Sequence, residues 1–202
     1  MKENNSKQVL LSVLGVAILV VAVVGVSFAA FSYSKTGEKV NTITTGTITM
    51  SYSETTNGIN LTNALPMSDG VGKALSEEEQ YFDFTVSANI TGTTTINYAI
   101  TASKEEESTL PDTAVKVYLT DMDGTADTQI LAPTKVSGLT PTTGSEPSGT
   151  PSGQFILHTG TFGATSSHDY RLRMWVADDY QVTGSSATYK LRVNVYGAAA
   201  AQ

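Results

Sequence analysis

Alternation with a period of two constrains this chain more than any other feature. Tyr170, Leu172, Met174 and Val176 are interleaved with Arg171, Arg173 and Trp175, and Tyr189, Leu191, Val193 and Val195 with Lys190, Arg192 and Asn194. The same pattern runs through Phe82, Phe84 and Val86, through Ile96, Tyr98 and Ile100, and through Val115, Val117 and Leu119. Successive side chains of a strand point to opposite faces, so each run describes a half-buried strand and leaves a helix no apolar stripe. Helical periodicity is scarce, and Ser76 to Glu79 makes one turn at most. About nine short strands joined by Gly, Asn and Asp turns predict an all-β antiparallel sandwich. Within it, 81–88 and 94–102 are expected to form a hairpin, and 43–52 one strand with a bulge at Gly46. Residues 138–153 hold Pro141, Pro147 and Pro151 and are expected to form a flexible loop, longer than most in a compact domain.

One segment does not fit that pattern. Residues 9–31 are 23 residues without a charge, preceded by Lys2 and Lys7. As a helix they would extend roughly 34 Å, enough to cross a hydrocarbon core of about 30 Å. A membrane span and a signal peptide both satisfy this. Cutting after Ala29 places Ser27 and Ala29 at the two small-residue positions, whereas cutting after Ala30 places bulky Phe28 at the first, so removal after Ala29 is favoured. The chain divides into 1–29 (signal peptide or membrane anchor), an extended segment 30–42, and a β domain over 43–202. With the positive flank held inside, export follows in either case, to the outside or the cell surface. Contact with a membrane is expected only through 9–31.

Charge and composition exclude several functions. The chain has 12 Lys+Arg against 19 Asp+Glu and no cysteine. An acidic chain lacks the basic face that nucleic-acid binding needs, and zero Cys removes disulfides, thiolate zinc sites and thiol catalysis. After residue 29 there are 30 Thr and 17 Ser, a strand-and-turn composition. Asp121, Asp123 and Asp127 around Gly124 have the look of a calcium loop, but Asp-Gly is also a common hairpin turn, and the turn is the favoured reading. His158 and His168 read as lone exposed histidines. No zinc-protease helix and no nucleophile elbow are present. The expectation is therefore no enzyme, with no catalytic, metal or cofactor residues. Arg171, Arg173, Lys190 and Arg192 gather on the last two strands as candidate contacts to an acidic face of another copy.

The stretch Ser27-Phe-Ala-Ala-Phe31, a polar extended segment, and then Thr45-Gly-Thr-Ile-Thr-Met50 resembles the TasA/camelysin family of exported biofilm-matrix fibre proteins. Residues 63–69 stand in for that family's turn before the next long strand, with 70–79 inserted. The resemblance implies a jelly-roll subunit whose signal peptide is removed by a dedicated, SipW-type signal peptidase. It also implies a homopolymer joined head to tail by donor-strand exchange. Ala30, Phe31 and Tyr33 would then anchor the donated strand. Physically, a sandwich with a vacant edge exposes main-chain groups that an extended peptide can pair, and a contact that does not close propagates as a filament. Two other functions stay open: a membrane-anchored monomeric adhesive module, and a camelysin-type protease.

Overall fold

The alternating runs fold as strands that each bury one face. The computed structural model describes residues 33–36, 41–45, 48–56, 58–59, 64–91, 94–147, 149–181 and 187–200. The apolar leader lies outside the described residues, and with it Ser27, Ala29, Ala30 and Phe31. Among the described residues no helix is long and apolar enough to cross a membrane.

Two antiparallel sheets pack face to face. One has four strands in the order β1 (Tyr33–Thr36), β10 (Leu191–Ala199), β5 (Ile96–Lys104) and β8 (Phe155–Phe162). The other has six, in the order β2 (Asn41–Thr45), β3 (Ile48–Glu54), β4 (Tyr81–Ile90), β9 (Ser166–Val176), β6 (Val115–Asp121) and β7 (Thr128–Lys135). Met50, Tyr52, Phe84, Val86, Leu172 and Leu119 of the larger sheet face Ile96, Tyr98, Ile100, Val193 and Val195 of the smaller one in a single core. The sheets come close where β10 passes Met50: a Cβ on Gly197 would lie 2.3 Å from the Met50 sulfur.

Three expectations change. Residues 43–52 are not one strand: β2 and β3 pair antiparallel, Thr45 opposite Ile48, with Gly46 and Thr47 between them outside the described residues. Nor do β4 and β5 form a hairpin. β4 pairs with β3 and β9, and β5 with β10 and β8, so the chain crosses from one sheet to the other between them. Two amphipathic strands satisfy the same periodicity whether they pair edge to edge or face each other across a core. Thirdly, residues 138–153 fold back on the protein. Thr142 donates its N–H to the Gln154 carbonyl at 2.7 Å and its hydroxyl to the Pro151 carbonyl at 2.6 Å. Gln154 accepts from the Thr101 hydroxyl at 2.5 Å and donates to the Tyr196 hydroxyl at 3.0 Å. This flap covers the outer face of the four-stranded sheet, where Thr101 and Asn194 are fully buried.

A second strap covers the outer face of the larger sheet. Met67 forms a parallel bridge with Ala177, and α1 (Asp69–Lys73) follows. Gly72 lies so close to Trp175 that a Cβ there would stand 2.3 Å from the indole ring. Trp175, which alternation places outward, is 1% exposed for this reason. Lys116 fastens the strap through Asp69 at 2.7 Å and also pairs with Asp178, just past β9, at 3.2 Å.

Candidate functional site

Edges are where a sandwich keeps main-chain groups unpaired, and the one formed by β1 matters most here. β1 contributes four residues to the smaller sheet and, among the described residues, pairs only with β10: Tyr33 opposite Gly197, Ser34 opposite Tyr196, Lys35 opposite Val195 and Thr36 opposite Asn194. The expected donor segment thus lies, in its described part, along the edge of its own sheet. The β1 register ends at Thr36 opposite Asn194, short of the start of β10 at Leu191. Beside it a cleft opens between the sheets, lined by Ile59, Phe82, Leu172, Met174, Leu191 and Val193. A short edge strand beside apolar side chains offers both kinds of contact that strand addition uses: main-chain hydrogen bonds and pockets for alternate side chains.

The four basic candidates do not form one row, because β9 and β10 belong to different sheets. Arg171 makes a two-pronged pair with Asp83 at 2.7 and 2.8 Å and stacks on the Tyr81 ring. That pairing raises the Arg171 pKa against the opposing effect of its partial burial. Arg173 is 5% exposed beneath the strap, donating to the Leu75 carbonyl at 2.6 Å and to Asp127 at 3.3 Å. Lys190 pairs with Glu107, and Arg192 with Glu105 at 2.8 Å. Each cation has an acidic partner within its own chain.

A polar cluster occupies one mouth of the sandwich. His158, expected to face outward, lies opposite Ile100 on the inner side of β8 and meets the rings of Tyr98 and Tyr170. A register shift between Ile100 and Thr101 breaks the alternation that would have turned it out. His168 lies opposite Val86 on the inner side of β9 and stacks on Phe162. The two histidines, expected to be exposed, therefore face the space between the sheets from opposite sides. Between the sheets the Tyr98 and Tyr170 hydroxyls share a hydrogen bond of 2.6 Å. Burial raises the pKa of both phenols, so the pair stays protonated. Burial, and then the neighbouring His168, lower the His158 pKa and favour its neutral form.

Asp121 and Asp123 complete this mouth. Asp121 ends β6 opposite Tyr170, and its Oδ1 accepts the Asp123 N–H at 2.7 Å, which closes the expected turn. Asp123 in turn holds the Asp169 N–H at 2.7 Å and the His168 Nδ1 at 2.5 Å. Asp127 is turned away, toward Arg173 and Thr120. The three aspartates of the calcium-loop reading thus separate, and His168 takes the third place. Comparison with family models, with curated proteins and with solved structures finds no match to this chain.

Proposed function

We propose that this chain is a structural subunit of an extracellular or cell-surface filament, polymerising when its N-terminal segment completes the sheet of the next copy. The observation that carries this is the place of β1: a four-residue strand at the edge of its sheet, held there by β10. A strand held so lightly can exchange its own edge for the same edge of a second copy. The contact is head to tail, so it extends without closing.

Strand order supports a jelly roll. In that fold of eight strands and two Greek keys, the first, eighth, third and sixth strands make one sheet and the second, seventh, fourth and fifth the other. Taking β1 and β4 to β10 as the eight reproduces both orders, with the β2–β3 hairpin added beside β4. β1 is then the first strand of the roll, the one an exchange would supply from outside. Residues 1–29 serve export, Ala30 and Phe31 join Tyr33 in the donated segment, and the role is mechanical rather than catalytic.

The test is deletion of residues 30–39 and electron microscopy of the exported protein. Filaments from the intact chain, and a folded monomer without filaments from the deletion, are expected. Filaments persisting in the deletion would overturn the reading, as would an intact protein that stays monomeric.

A further inference from the structure

We infer that Asp121, Asp123 and His168 form a binding site for one divalent transition-metal ion of the zinc, cobalt or manganese kind. Each offers one ligand atom, and these atoms all lie within 4.8 Å of one another. Ligands bound at about 2.0 to 2.2 Å stand about 3 to 4.4 Å apart around an ion, so on binding the 2.5 Å hydrogen bond between Asp123 and His168 opens and the wider pairs draw in. Two of the three sit on neighbouring strands of one sheet, β6 and β9, and the third on the turn that leaves β6. The approach is therefore built into the sheet and does not depend on a free loop.

The hydrogen bonds orient the donors. One oxygen of Asp121 is occupied by the Asp123 N–H, and one oxygen of Asp123 by the Asp169 N–H. The second oxygen of Asp123 already meets His168, and the second oxygen of Asp121 has no partner among the described residues. Backbone donors holding the far oxygen of a ligating carboxylate are the outer support that metal sites use. Asp169 itself is engaged elsewhere, by the Thr85 hydroxyl at 2.5 Å.

An independent observation comes from the opposite sheet. His158 faces the same mouth, half-buried and without a hydrogen-bond partner among the described residues, in contact with Tyr170. The chain has two histidines, and the fold brings both to this mouth. The donor set also selects the ion. Calcium takes six to eight oxygens, whereas here the third aspartate pairs with Arg173 and an imidazole stands in its place. Two carboxylates and one imidazole suit borderline divalent ions, with the remaining positions left to water.

The experiment uses the full chain, stripped with chelator and titrated calorimetrically with Zn2+, then with Co2+ followed by its visible absorption. One Zn2+ per chain is expected, with affinity falling at least tenfold in Asp121→Asn and again in His168→Gln. Both variants are checked for a native circular-dichroism spectrum, and the two positions provide independent tests should one variant fail to fold. Saturable binding absent from the intact chain would overturn the inference. So would binding that both folded variants retain unchanged, or Ca2+ binding in preference to Zn2+.

Discussion

Gly160 shows how one missing methyl group is written into the core. It lies opposite Tyr98 across the β5–β8 ladder, and a Cβ there would stand 2.5 Å from the phenol ring. The ring cannot swing aside, since Tyr98 stacks on Phe162 at 4.7 Å and shares its hydroxyl with Tyr170. Overpacking of this kind costs about 1–3 kcal/mol, so Gly160→Ala is expected to lower the urea midpoint clearly. Gly163→Ala, where an added Cβ meets nothing within 4 Å, is the control and should leave the midpoint in place. A control that falls as far as Gly160→Ala would show that the loss of a glycine, not the clash with the Tyr98 ring, sets the effect. Arg173 makes a related point, because its Nη1 is buried without a partner among the described residues while its other nitrogens are held. In sequence it looks like a surface cation, and the strap that buries it is separated from it by almost a hundred residues.

At the scale of elements, the two coverings of the sheets carry the clearest consequence. The flap over the smaller sheet turns on Thr142, whose hydroxyl donates to Pro151 and accepts the Gln154 N–H at 3.0 Å. Thr142→Ala leaves both backbone groups without that partner in a buried place. A loss of about 1–3 kcal/mol is expected. Proteolysis between 143 and 152 should rise with it, and an unchanged cleavage rate would count against a packed flap. Strand positions were legible in the sequence because alternation is a local signal: the runs beginning at Phe82, Ile96, Val115 and Tyr170 all became strands. Partnership was not legible, since β4 and β5 give the same pattern facing each other as they would side by side. The flap was hidden for another reason. Pro and Gly mark where a chain turns, but the Thr101, Gln154 and Tyr196 hydrogen bonds that hold it down connect positions remote in sequence. The histidine mouth escaped for the same reason, compounded by a register shift that inverted His158.

At the scale of the whole molecule, a head-to-tail polymer has two unlike ends. One exposes a donor strand and the other an unfilled edge. If growth proceeds by the proposed exchange, a subunit lacking residues 30–39 can accept a strand but has none to donate, so it should add to a growing end and stop it. Mixing that variant with intact protein is expected to shorten filaments in proportion to its share, measured as a length distribution on grids. Unchanged lengths would mean that growth does not pass through β1. Arg171, Arg173, Lys190 and Arg192 each pair with an acidic side chain of the same chain, so their charges are balanced internally.

The buried polar residues of the outer faces bear on how freely this sequence can drift. Thr101 and Asn194 sit at positions where a strand of a simple sandwich would meet water, yet both are wholly enclosed beneath the flap. Selection acting on such a chain sees a core with three layers instead of one. Substitutions that alternation marks as harmless are constrained on both sides of β5 and β10, which narrows the neutral sequences open to a lineage carrying this fold. Relatives that kept the architecture but lost the flap would be free to vary at those same positions.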